Sequence, residues 1–174
     1  MLDQRLETAR LILRMVRPAD IPALEAMNAD PEVMAMSGAG GTLDRAETFK
    51  HCCTTLGHWQ LKGYGMYVLE EKQTGDFCGS VGLHWRADMQ CVELSWILPR
   101  AKWSHGYATE AARAVRDHAF AKMDFTELYH FIDPENPRSL RVAEKLGAVR
   151  RGEIRTLVDG SERVTDIICV SSRP

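Results

Sequence analysis

Apolar residues change their spacing several times along the chain, and each change marks an element. Arg10-Leu11-Ile12-Leu13-Arg14-Met15-Val16 is a short aliphatic and β-branched run that predicts a first strand. Pro18-Ala19-Asp20 follows, with Asp20 placed to cap a helix through about Met27. A glycine-rich hinge, Ser37-Gly38-Ala39-Gly40-Gly41, separates this from residues 44–61. There Ala46, Phe49, Cys53, Leu56 and Trp59 recur at three- and four-residue steps and form the apolar face of an amphipathic helix, with Trp59 in the core.

Three strands with tight connections come next, at residues 66–71, 77–85 and 91–98, with turns at Gln73-Thr74-Gly75-Asp76 and Arg86-Ala87-Asp88. They predict an antiparallel meander. Residues 107–123 read as a helix that lays Ala108, Ala111, Ala112, Val115, Ala119 and Met123 on a sheet. After a strand at 128–132, Asn136 as N-cap, Pro137 at the first helical position and Gly147 past the end delimit a helix of about ten residues. Residues 148–158 and 163–171 pair across Asp159-Gly160, a hairpin signal.

Nothing in the 174 residues divides the chain, so one α+β domain spanning 1–174 is expected. Its 22 Lys and Arg against 24 Asp and Glu give a net charge of −2 and no global pull toward nucleic acid or an anionic membrane. The N-terminus lacks the apolar core of a signal peptide, and no stretch approaches the ~18 apolar residues of a membrane span. A cytoplasmic protein is expected. Cys52, Cys53, Cys78, Cys91 and Cys169 are odd in number and hold no C-x-x-C pair, which argues for reduced thiols filling core space rather than disulfides or zinc. His51, His58, His84, His118 and His130 show no metal-ligand spacing, and no metal is expected.

Chemistry concentrates between Val92 and Thr109. The strand Val92-Glu93-Leu94-Ser95-Trp96-Ile97-Leu98 runs through a turn into Trp103-Ser104-His105-Gly106-Tyr107-Ala108-Thr109, where a helix begins. A glycine-containing loop entering a helix N-terminus presents unpaired N–H groups at the positive end of a dipole, which suits a phosphate or pyrophosphate. Gly106 alone is equally compatible with a simple tight turn. Neither G-x-x-x-x-G-K-[ST] nor G-x-S-x-G occurs. Strand alternation puts Cys91, Glu93, Ser95 and Ile97 on one face and Val92, Leu94, Trp96 and Leu98 on the other, the pattern of a central strand covered on both sides. A carboxylate placed there has its pKa raised by desolvation, as suits a base near neutral pH.

Three motifs in order resemble the GNAT acetyltransferase superfamily, and within it the RimJ/RimL-type branch: Arg10-Leu11-Ile12-Leu13-Arg14, Trp103-Ser104-His105-Gly106-Tyr107-Ala108-Thr109-Glu110-Ala111, and Asn136-Pro137-Arg138-Ser139 leading to Glu144-Lys145-Leu146-Gly147. The resemblance implies a mixed, mostly antiparallel sheet of six to seven strands with about four helices, and an acetyl-CoA site between two splayed strands. It implies that Trp103, Ser104, His105, Gly106, Tyr107, Ala108 and Thr109 wrap the pyrophosphate, chiefly through backbone amides. Trp96, Ile97 and Leu98 would follow the pantetheine arm, with an N–H near Leu98 facing the thioester oxygen, and Asn136 would contact the arm.

For catalysis the resemblance implies Glu93 as acceptor of the amine proton and Ser139 as proton donor to the departing sulfur. Beside these stand plainer roles: Glu93 paired with an arginine, and Ser139 as a residue whose N–H is capped by Asn136. Trp59, Tyr64 and Met66 fall in the region that lines the family's acceptor groove. Two departures stand out. Ser104 replaces a usual glycine, and Ala148 replaces a usual aromatic, which opens the prospect of a larger acyl group. Cys52 and Cys53 lack an activating motif, so direct attack by a primary amine in a ternary complex is expected, on a protein N-terminus or a small molecule. A non-catalytic CoA or acyl-CoA binding module is the alternative, and the protein is expected to be a monomer or homodimer.

Overall fold

The computed structural model describes residues 1–37, 41–158 and 161–173. Eight strands form one sheet: β1 (Arg5–Glu7), β2 (Leu11–Arg14), β3 (Met66–Glu71), β4 (Phe77–Arg86), β5 (Cys91–Ile97), β6 (Glu127–Ile132), β7 (Val149–Val158) and β8 (Ser161–Ser172), in the order β1-β2-β3-β4-β5-β6-β8-β7. Every adjacent pair is antiparallel except β5 and β6. The predicted meander is β3-β4-β5, and the strand at residues 10–16 is β2. Strand β1 escaped the sequence because its charged ends, Arg5 and Glu7, leave only Leu6 to signal it. The hinge residues Gly38, Ala39 and Gly40 and the hairpin turn Asp159-Gly160 lie outside the described residues.

Helix α4 (Tyr107–Lys122) is the crossover that makes the β5–β6 pair parallel. Its alanines bring it close to the sheet: Ala111, Ala112, Val115 and Ala119 are fully buried in a core with Leu11, Leu69, Val81, Leu83, Leu94 and Leu128. On the chain's other helical layer lie α1 (Ile21–Asn28), α2 (Pro31–Met34) and α3 (Arg45–Lys62), with a separate cluster of Leu24, Met27, Val33, Met34 and Cys52. Helix α5 (Pro137–Lys145) covers Ile132, Ile167 and Cys169 through Ala143.

Two local expectations are corrected. Helix α3 begins with a reciprocal capping box, Asp44 and Glu47 each accepting the other's backbone N–H at 2.8 Å, but it is rotated from the expected face. Phe49, Cys53 and Leu56 are exposed, whereas Thr48, Cys52 and Trp59 are buried. The buried side is less apolar because it is anchored by polar bonds: Asn28 donates to Thr48 Oγ1 at 3.2 Å, and the Trp59 indole donates to the Met66 carbonyl at 2.9 Å. A side chain at Gly65 would sit 2.6 Å from the Trp59 ring, so this contact needs glycine. Asp20 stands at the start of α1 without capping it. Its carboxylate instead takes both Arg14 guanidinium nitrogens at 2.8 Å and the Arg17 N–H at 2.7 Å.

The cysteines divide rather than all filling the core. Cys52, Cys78 and Cys169 are buried, Cys91 is half-buried and Cys53 is exposed, and all five are free thiols.

Candidate active site

Strands β5 and β6 share a single register pair, Glu93 with Tyr129, and then part. The cause is visible in the hydrogen bonding. Leu94 lies opposite Leu83, whose N–H points away to the Gly65 carbonyl at 3.1 Å, so the Leu94 carbonyl faces β6. What meets it there is the ring of His130, Nδ1 to Leu94 O at 2.9 Å. A ladder continued by a side chain holds the two backbones apart.

A cavity of about 930 Å³ opens at this wedge. Glu93, Ser95 and Ile97 from one face of β5 line it together with Leu94 and Trp96 from the other, which requires the cavity to pass through the sheet plane where the strands diverge. Asn136 and Ser139 at the start of α5 also line it, as do Met66 and, from the α1–α3 side, Leu24, Met27 and Cys52. The expectation that β5 is covered on both sides is therefore corrected. Val92, Leu94 and Leu98 are buried, but the face of Cys91, Glu93, Ser95 and Ile97 is half-buried, and its last three residues open to the cavity.

Glu93 has the arginine partner expected of its plainer role. Its carboxylate touches Arg86 Nη1 at 3.4 Å, a loose contact, since Arg86 is held more tightly by Asp88 at 2.9 Å and lies over the Phe131 ring. Burial pushes the Glu93 carboxyl above the usual carboxylate range despite the pull of Arg86. His84 faces Glu93 as its cross-strand partner, and burial pushes the His84 ring toward its neutral form. No sequence pattern announced that pairing, which depends on the β4–β5 register.

At α5, Asn136 caps the helix by accepting the Ser139 N–H at 3.0 Å. The Ser139 hydroxyl receives the Trp96 indole N–H at 3.1 Å. Asn136, Ser139 and Trp96, 43 residues apart at the extremes, thus converge on one wall.

The loop before α4 lies outside the lining of this cavity. Ser104 adopts φ +63° and Gly106 φ +82°, so the Ser104 departure places a side chain in left-handed backbone. The first helical bond runs from the Glu110 N–H to the Gly106 carbonyl, and Gly106 has no side-chain cap. The amides of Tyr107, Ala108 and Thr109 therefore precede the first intrahelical bond and face outward at the dipole's positive end. The donor set fits a pyrophosphate. The Tyr107 side chain plays no part in it: the ring is buried and its hydroxyl donates to Glu71 at 2.5 Å. His105 Nδ1 donates to the Trp103 carbonyl at 2.7 Å, and the Trp103 indole donates to Leu98 O at 2.7 Å, which tethers the loop to the end of β5.

Two arginines that the sequence reading did not single out brace this loop. Arg10 donates to the His105 carbonyl at 2.9 Å and pairs with Glu110 at 2.7 Å. Arg138 lies over the Trp103 ring, 3.9 Å from its centroid, and brings a cation to the loop. A cation in the first turn of α5 opposes that helix's own dipole, and this was the available signal that Arg138 serves something else.

Ala148 does not reach the wedge cavity. It lines a second cavity of about 610 Å³ with Leu140 of α5 and Val164, Ile167 and Cys169 of β8. The larger-acyl reading loses the residue that motivated it. The thiols of Cys52 and Cys78 are pushed up by burial, Cys78 to about 11, which makes them poor nucleophiles.

Residues 10–149 match the acetyltransferase (GNAT) domain family. The chain is 34% identical to the Bacillus subtilis (strain 168) protein YkkB over 151 residues, covering 82% of this chain and 84% of that one. An acetyltransferase from Agrobacterium tumefaciens str. C58 superposes with TM-score 0.81 at 29% identity, over 99% of this chain and 96% of that one. RimL, a ribosomal-protein α-N-acetyltransferase in complex with coenzyme A, superposes with TM-score 0.80 over 97% of both chains, a likeness of fold at 16% identity. A split β5–β6 pair, an open helix N-terminus after Gly106 and this match over most of the chain lead to one conclusion: the protein belongs to the GNAT acetyltransferase family.

Proposed function

We propose that the chain transfers an acetyl group from acetyl-CoA to a primary amine by direct attack, with the α-amine of a protein or a small-molecule amine as acceptor. The observation that carries this reading is the wedge cavity, where a carboxylate raised by burial and a serine hydroxyl line one space passing through the sheet. The amides after Gly106 would hold the pyrophosphate, with Trp103, Ser104 and His105 shaping the loop, and Trp96, Ile97 and Leu98 would run beside the pantetheine arm. Asn136, which lines the same cavity, would contact the same arm.

In the reaction Glu93 accepts the proton that the amine nitrogen sheds as its bond to the acetyl carbon forms. Ser139 gives its proton to the sulfur as the carbon–sulfur bond breaks and regains one from solvent, while Glu93 releases the amine proton to solvent. The net change moves one amine hydrogen to the sulfur. No covalent acyl-enzyme is needed, consistent with the raised pKa of Cys52 and Cys78. An α-amine of pKa ~7.7–8.0 is partly neutral at physiological pH and asks less of Glu93 than a lysine at ~10.4. This favours an acceptor of the RimJ/RimL-type kind. Five free thiols and the use of acetyl-CoA fit a cytoplasmic setting.

The test is thiol release from acetyl-CoA across a panel of N-terminal peptides and small amines, run beside direct measurement of CoA binding. Release with an acceptor supports the enzyme. Binding without release across the panel returns the reading to a CoA-binding module.

A further inference from the structure

The bond between Trp96 and Ser139 has only one possible direction. An indole N–H donates and never accepts, so at 3.1 Å the Ser139 oxygen is the acceptor. A serine hydroxyl carries one proton and two lone pairs, and one lone pair is now used. The backbone of Ser139 is fixed as well, by its N–H to Asn136 Oδ1. Among the described residues, no acceptor takes the remaining hydroxyl proton.

Left alone, a serine in the first turn of a helix can turn its hydroxyl onto nearby backbone. Here the indole proton blocks the rotor positions that would point O–H against N–H, and both residues line the wedge cavity. Trp96 is itself held: its ring lies 5.4 Å from that of His130, and His130 is fixed by Leu94 O and by Ser171 Oγ, each at 2.9 Å.

We infer that Trp96 is a positioning residue for Ser139, its N–H turning the serine's single proton into the cavity toward the sulfur of the leaving group. This rests on the acetyl-CoA reading of the cavity and gives Trp96 a task beyond contact with the pantetheine arm. Trp96 touches no reacting atom; it sets which way Ser139 donates.

The experiment follows ionisation of the thiol of bound CoA, read from thiolate ultraviolet absorbance over a pH series, in the wild type, Trp96→Phe, Ser139→Ala and the double variant. Ser139 donating to sulfur lowers the bound thiol's midpoint. Trp96→Phe is expected to raise it most of the way to the Ser139→Ala value, with no further rise in the double variant. In turnover, Trp96→Phe is expected to lose about tenfold in kcat, less than the ~10²-fold typical of losing a proton donor, with KM for acetyl-CoA little changed.

A Trp96→Phe midpoint at the wild-type value, with Ser139→Ala shifted, overturns the role of Trp96 alone. A Ser139→Ala midpoint equal to the wild type overturns the donor role of Ser139 and this inference with it, and absence of CoA binding overturns both. Should Trp96→Phe fail to fold, the indole N–H resonances of the four tryptophans in wild type and Ser139→Ala decide the matter. One must shift upfield on loss of the serine oxygen, and four unchanged resonances overturn the bond.

Discussion

His130 Nδ1 and the Leu94 carbonyl are joined at 2.9 Å across the gap between β5 and β6. A carbonyl only accepts, so Nδ1 carries the proton, and with the ring neutral Nε2 is left to accept from the Ser171 hydroxyl. Burial holds the ring neutral, pushing its pKa down to about 4. In the unfolded chain a histidine titrates near ~6.5.

The stability this gives is complete above that value and is lost as pH falls toward 4, because the unfolded chain then binds a proton the folded one refuses. The loss amounts to about 3 kcal/mol for a shift of this size. Glu93 acts in the opposite sense: its folded pKa is raised, so it costs stability as pH rises through and above 4.5. Chemical denaturation between pH 4 and 7.5 is expected to show His130→Gln flattening the acid loss and Glu93→Gln gaining stability relative to the wild type as pH rises. Parallel profiles for all three proteins would contradict both assignments.

The base role proposed for Glu93 predicts a pH dependence of turnover. As a base it works only when ionised, so kcat/KM is expected to fall on the acid side with a midpoint above the ordinary carboxylate value. Glu93→Gln is expected to lose about 10²-fold or more and to lose that acid limb with it. Steady-state rates over a pH series with one competent amine check this.

Much of this was legible in the chain, for reasons that differ by element. The meander and α4 were readable because their periods, two and 3.6, match their packing. The Asn136-Pro137 start of α5 was readable because capping is local chemistry. The rotation of α3 was not, because Thr48 and Cys52 face inward through partners elsewhere in the chain, and the apolar stripe of Phe49 and Leu56 pointed the other way. The Trp96–Ser139 bond and the Arg10 and Arg138 braces span tens of residues and exist only once the sheet order is known.

The Arg14–Asp20 pair, six residues apart, carries a stability prediction. Both side chains are nearly buried, their contact is bidentate, and Glu70 takes the third guanidinium position at 2.7 Å. Burial raises the Asp20 pKa, but Arg14 and the Arg17 N–H more than offset this and hold it low. Asp20→Ala strands a buried guanidinium and is expected to cost about 3–5 kcal/mol by denaturant melting.

Ser104 offers a gain rather than a loss. Its φ of +63° is strained for a residue with a Cβ, by roughly 1–2 kcal/mol. Glycine removes that strain but adds ~0.4–1 kcal/mol of unfolded-state entropy. Ser104→Gly is expected to raise the thermal midpoint by a few degrees at most, while Gly106→Ala, at φ +82° and 3.4 Å from the Arg10 guanidinium, lowers it and weakens CoA binding. Differential scanning calorimetry with and without CoA reads both.

A crystal structure of the complex with coenzyme A locates the thiol and the pyrophosphate in one measurement. The thiol is expected in the wedge between β5 and β6 within hydrogen-bond distance of Ser139 Oγ, and the pyrophosphate on the amides of Tyr107, Ala108 and Thr109. A coenzyme bound with its sulfur outside that wedge, or its phosphates away from the start of α4, would contradict the proposed acetyl-CoA site.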